Sequence, residues 1–109
     1  MADSLRTRKI AGRELLFDQQ GFLNDFYDWS EDVFCFLAQE SGLLKINDLH
    51  WRVIRFLREF FATNGRAPLN RELRKAVGMS LLDLEELFPG GIKRGAQRLA
   101  GLPRPKGCM

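Results

Sequence analysis

Residues 46–65, INDLHWRVIRFLREFFATNG, contain the signals that decide how this chain folds. Asn47 offers a side-chain acceptor just before an apolar periodic run, which marks it as a helix N-cap, and Ile46 can fold back onto Trp51 as a hydrophobic staple. Leu49, Val53, Leu57 and Phe60 recur at helical spacing and line one face. Asn64 and Gly65 stop the run, because glycine accepts the left-handed backbone that closes a helix. The spacing predicts a helix over 48–63 whose apolar face is the spine of the core.

The neighbouring segments follow the same grammar. In DWSEDVFCFLAQESG, residues 28–42, Ser30 caps, Glu31 and Asp32 occupy the first turn where the helix dipole favours acids, and Ser41-Gly42 ends a helix over 31–41. Trp29 and Phe34 are spaced for a staple. PLNRELRKAVGMSLLDLEELFP, residues 68–89, reads as helices over 70–77 and 81–88 about a turn at Gly78-Met79, the second capped by Ser80 and ended before Pro89. A last helix, 92–100, puts Ile92, Ala96 and Leu99 on one side and Lys93, Arg94 and Arg98 largely elsewhere, and Gly101 ends it. At the other end, KIAGRELLFD, residues 9–18, holds two short apolar runs about Gly12-Arg13 and suggests a hairpin over about 8–17. In LPRPKGCM, residues 102–109, two prolines forbid further helix, although Leu102 can still dock. The expected fold is mostly α: a small helical bundle containing a helix-turn-helix-like unit, a short N-terminal β-hairpin and an extended C-terminal arm. The body spans 1–101 and the arm 102–109.

The chain has 109 residues, 45% hydrophobic, with nine Phe and two Trp, enough for one core and too few residues for two. No apolar run approaches the roughly 18 residues of a membrane span, and the start lacks a secretory signal, so the chain reads as cytoplasmic. Charge is segregated along it. Glu14, Asp18, Asp25, Asp28, Glu31, Asp32 and Glu40 meet no Lys or Arg before Leu44, whereas Lys93, Arg94, Arg98, Arg104 and Lys106 follow Leu87 without an acid. Either run alone is a solvated face, but their separation favours an anionic partner, RNA or an acidic protein surface, for the C-terminal segment.

Few residues suit chemistry. His50 is the only histidine and reads as a capping or surface residue, no metal-ligand spacing surrounds it, and FPGGIKRG lacks the spacing of a phosphate-binding loop. No cofactor is expected. Asp83, Glu85 and Glu86 read as a solvated helix face rather than an acid/base pair. They also weaken a helix-turn-helix regulator: the second helix would carry three carboxylates toward a polyanion, although Arg71, Arg74 and Lys75 on the first can touch phosphate. Cys35, among Val33, Phe34, Phe36, Leu37 and Ala38, reads as a small buried hydrophobe. Cys108 is different. It is either an inert terminal thiol or a nucleophile held out for another protein's sulfur; Arg104 and Lys106 favour its thiolate while the terminal carboxylate opposes it.

Three stretches, FLNDFYDWSEDV, DLHWRVIRFLREFF and LFPGGIKRGAQRLAGLPRPKGC, together resemble the DsrC/TusE family of sulfur-carrier proteins, from about Gly21 to the C-terminus. The resemblance implies a mostly helical fold with a mobile arm whose penultimate cysteine, here Cys108, carries sulfur as a persulfide. Family members serving dissimilatory sulfite reductase have a second arm cysteine, at the position of Gln97 here, so this chain cannot bridge sulfur between two arm thiols. The segment between Gly78 and Phe88 also lacks a tyrosine-containing insertion usual in the family.

A single-cysteine arm is similar to the TusE branch. That branch implies a TusBCD- or DsrEFH-like donor complex and, as acceptor, a tRNA-thiolating enzyme making 2-thiouridine. The alternative acceptor is a sulfite reductase or sulfur-oxidation system that the chain would serve as a gamma-subunit-like partner. Arg94, Arg98, Pro103, Arg104, Pro105, Lys106 and Gly107 are the expected docking residues, with indirect tRNA contact, no membrane and a monomeric state.

Overall fold

The computed structural model describes residues 5–104. Strands β1 (Arg6–Ile10) and β2 (Arg13–Phe17) pair antiparallel, Arg6 opposite Phe17 and Ile10 opposite Arg13. The turn is Ala11-Gly12, one residue earlier than expected. Both residues have positive φ, 53° and 81°, as a two-residue turn must to follow the strand twist. Ile10, Leu15 and Phe17 face inward, and Arg8 reaches Glu40 through a bidentate ion pair.

Helix α1 (Glu31–Glu40) starts at Ser30, whose hydroxyl accepts from the Val33 amide at 3.3 Å. It buries Val33, Phe34, Leu37 and Ala38. The Phe34 ring meets Trp51 edge-on at 4.8 Å and so seats α1 against helix α2 (Asp48–Asn64). The buried face of α2 is His50, Val53, Ile54 and Leu57. This corrects the expected stripe: Leu49 is exposed and Phe60 only partly covered, because α2 is enclosed by neighbours on the 50–54–57 side.

Helix α3 (Asn70–Val77) and helix α4 (Leu81–Leu87) form the expected pair about the Gly78-Met79 turn. Glu72 accepts from the Leu69 amide at 2.7 Å, Gly78 closes α3 at φ 72°, and Ser80 accepts from the Asp83 amide at 3.1 Å to open α4. Leu73, Val77 and Leu84 join the core.

The last helical segment departs from expectation. Instead of an α-helix over 92–100, residues Ile92–Gln97 are π-helical, with the Ala96 amide donating to the Gly91 carbonyl at 3.0 Å, and ordinary helix follows only at 98–99. The cause is tertiary. Gly95 lies so close to the 88–91 turn that a β-carbon there would sit 2.5 Å from the Pro89 carbonyl oxygen and 3.0 Å from Phe88 Cβ. The widened turn wraps this contact. Among the described residues, no helix is long and apolar enough to cross a membrane.

Candidate functional site: the root of the C-terminal arm

A helix leaves its last four carbonyls without intrahelical donors. Here each of them has been given one. The Leu102 amide donates to Gln97 O at 3.1 Å and the Gly101 amide to Arg98 O at 3.1 Å, the paired bonds of a Schellman ending, with Gly101 at φ 78°. The remaining two are served from far away in sequence: Trp29 Nε1 donates to Leu99 O at 2.8 Å and Arg58 Nη1 to Ala100 O at 2.9 Å. Leu99, Ala100 and Leu102 are all buried, so Leu102 docks as expected.

Arg58 is an unusual holder. Its guanidinium lies 3.8 Å from the Phe26 ring centre and 4.3 Å from that of Trp29, and Nη2 donates to Phe26 O at 3.1 Å. No carboxylate pairs with it among the described residues, and burial pushes it down to about 10, still cationic at neutral pH. Gly101 rests on the Trp29 ring; a β-carbon there would come within 2.6 Å of Cδ1. Glycine is therefore required twice over, for its φ and for its lack of bulk.

Beyond this root, Pro103 and Arg104 are exposed, and Arg104 Nε lies 4.0 Å from Asp18 Oδ2 in the loop after β2. Pro105, Lys106, Gly107 and Cys108 lie outside the described residues. Arg94 is exposed, whereas Arg98 is half-buried, donating to Arg94 O at 2.9 Å and to the Ser41 hydroxyl. Burial lowers its pKa, with Glu40 opposing the shift. Gln97 is 5% exposed, and its Oε1 has no partner among the described residues.

Cys35 is not buried, which corrects the sequence reading. Once Val33, Phe34, Leu37 and Ala38 turn inward, position 35 must face out with Glu31 and Asp32. Local desolvation raises the thiol, and the Asp32 and Glu31 carboxylates raise it further, so it stays protonated and weakly nucleophilic at neutral pH. His50 does cap α2, as expected, but it is buried rather than at the surface. The Asn47 amide donates to its Nδ1 at 3.0 Å, which leaves Nε2 to donate to Leu87 O at 3.0 Å and tie α2 to the end of α4. Neither ring nitrogen is left for catalysis.

Residues 9–109 match the family described as DsrC like protein. The chain is 38% identical to the dissimilatory-type sulfite reductase subunit gamma of Nitratidesulfovibrio vulgaris, covering 90% of this chain and 93% of that one. It is 35% identical to the sulfurtransferase TusE of Photorhabdus laumondii, covering 90% and 94%. The chain belongs to the DsrC-like family. Solved structures agree: it is similar to the crystal structure of dissimilatory sulfite reductase I (DsrI), with a TM-score of 0.90, 36% identity and coverage of 95% and 100%. The oxidised gamma subunit DsrC of Archaeoglobus fulgidus follows, with a TM-score of 0.85, 34% identity and the same coverage.

Within this DsrC-like fold, Trp29 and Arg58 were missed as site residues because their partners are backbone atoms of a distant segment. One signal was available: an arginine on α2 only one residue past Leu57, on the edge of its apolar face, flanked by the aromatic-rich LREFF run.

Proposed function

We propose that this DsrC-like chain is a single-thiol sulfur carrier. The Cys108 thiolate attacks the outer sulfur of a donor persulfide. The donor's S–S bond breaks as a new one forms on Cys108, the donor leaves as thiolate, and the proton travels with the transferred sulfur. An acceptor thiolate then takes that sulfur from Cys108 by the same displacement, and Cys108 returns to thiolate. One sulfur atom moves in each step, and no outside oxidant or reductant is consumed.

The observation that carries the reading is the investment in one short segment. All four terminal carbonyls of the last helix are bonded and Leu102 is buried, immediately before the exposed Pro103. A docked root fixes where a tether begins. Cys108 follows Leu102 by six positions, so its α-carbon stays within about 20–22 Å of that anchor. Prolines at 103 and 105 limit the freedom lost when the tether enters a partner.

The supply would come from a TusBCD- or DsrEFH-like complex in the cytoplasm, and the acceptor we favour is a tRNA-thiolating enzyme. The likeness to sulfurtransferase TusE and Gln97 in place of a second arm cysteine both support it. The likeness to a sulfite reductase gamma subunit keeps that enzyme as the second acceptor. Arg94, Arg104 and Lys106, with Pro103, Pro105 and Gly107, would meet the partner's acidic surface. Arg98, bound to Ser41, would help by holding the arm's helix to α1. Duplex readout is disfavoured by Asp83, Glu85 and Glu86, which are exposed on α4.

The test is mass spectrometry after incubation with a persulfidated donor. Cys108 should gain the mass of one sulfur atom, and Cys108→Ser should abolish both loading and onward transfer while leaving thermal stability unchanged. An unloaded Cys108, or loading at Cys35 instead, defeats the proposal. Cys35 should alkylate more slowly than a free cysteine at neutral pH, and Asp32→Asn should quicken it about two- to threefold by removing a charge that opposes the thiolate.

A further inference from the structure

We propose that Arg58 and Trp29 are positioning residues for sulfur transfer: together they clamp the arm root and set the direction in which the arm leaves the body. The inference rests on the relay reading above. It starts from a cost. A half-buried guanidinium with no carboxylate partner among the described residues is unfavourable, and an apolar side chain would fill the space between two rings without that cost. What an apolar residue cannot do is donate.

Arg58 donates to carbonyls on two segments that the chain keeps far apart, Phe26 O before α1 and Ala100 O at the end of the last helix. Its planar fork, stacked between Phe26 and Trp29, points both bonds at once, which the single ammonium of lysine does not reproduce. Trp29 completes the grip with its bond to Leu99 O and with the ring face that Gly101 lies upon. The two carbonyls held are the last two of the helix, adjacent to the left-handed glycine at which the chain turns outward. Without these bonds only the Schellman ending and the buried Leu99, Ala100 and Leu102 would hold the root, and residues 99–102 would sample a wider range of exit directions. A relay between proteins is sensitive to that, since delivery depends on where the tether starts; attack on a small sulfur donor in solution is not.

The experiment compares full-length wild type, Arg58→Lys and Trp29→Phe with two donors, inorganic polysulfide and a persulfidated TusBCD-type complex, and follows amide exchange. Expected are loading of Cys108 by polysulfide within about twofold of wild type and transfer from the protein donor reduced about tenfold in kcat/KM. Exchange should be faster at Gly101 and Leu102, with Val53 and Ile54 in α2 unchanged. Wild-type transfer rates in both variants, or equal losses with both donors, would overturn the clamp. If wild type accepts sulfur from polysulfide but not from the protein donor, the relay reading falls instead. Exchange at Gly101 and Leu102 then still decides the clamp: protection equal to wild type in both variants refutes it. Accelerated exchange at Val53 would mean that Arg58 serves the core at large and would also overturn the proposal.

Discussion

The arm root and the α3–α4 pair both end helices on a glycine in the left-handed region, yet they are held in opposite ways. Around Gly78 the bonds are local: its amide donates to Arg74, Glu72 caps Leu69, and Ser80 caps Asp83. Around Gly101 half of the bonds come from Trp29 and Arg58, on α1's approach and on α2. The helix pair carries its own instructions, while the root is fixed by the rest of the body. The helix-turn-helix-like unit thus closes its turn with its own caps while packing on the shared core, and the arm root is the segment whose helix end is wired across the molecule.

Replacing the two glycines with alanine sharpens this contrast. Gly101→Ala meets a positive φ and the Trp29 ring together and should cost about 2–4 kcal/mol in a denaturant or thermal melt. Gly78→Ala meets the same backbone penalty with nothing within 4 Å of the new methyl, so about 1 kcal/mol is expected. Equal costs at the two sites would break the comparison. Ser80→Ala removes a local cap and should also cost about 1 kcal/mol, with no change in exchange at Leu102.

The smallest effect belongs to a long-range tie at the surface, Arg8 with Glu40. Hydrogen bonding to Arg8 lowers the Glu40 pKa below its unfolded value. Its stabilisation is therefore present above the unfolded pKa and lost as pH falls through the lower folded one. Because both side chains are more than a third exposed, Glu40→Gln should remove no more than about 1 kcal/mol near neutral pH and almost nothing in acid. A melt series across pH checks the sign. A larger loss would mean that distance in sequence by itself confers strength, whereas burial is the factor the root has and this pair lacks.

The same division explains what could be read in the sequence. Asn47, Ser30 and Ser80 were legible as caps and Gly65, Gly78 and Gly101 as stops, because capping depends on residues within one turn. Cys35 was misread since FCF alternates too briefly to fix the helix phase; only the packing of Phe34 and Leu37 decides which side turns out. The buried face of α2 shifted to include His50 and Ile54 for a related reason, the position of neighbours that no local pattern encodes. The π-helical turn required Gly95 to press on the Pro89 carbonyl. The clamp required Arg58 to find two backbone oxygens.

That π-helical turn has a consequence for how the chain can vary. Each residue in a helix advances the following ones by about 100° around the axis. Losing a single residue within 92–97 would let the wide turn relax to an ordinary one with Leu99, Ala100 and Leu102 kept near their seats, because a π turn is an α turn that holds one residue more. An added residue would instead rotate Leu99 and Leu102 away and take Ala100 from Arg58. Insertions between the Pro89 corner and Gly101 should therefore be among the least tolerated changes in the protein, and loss of one residue at an exposed position such as Lys93 the better tolerated of the two.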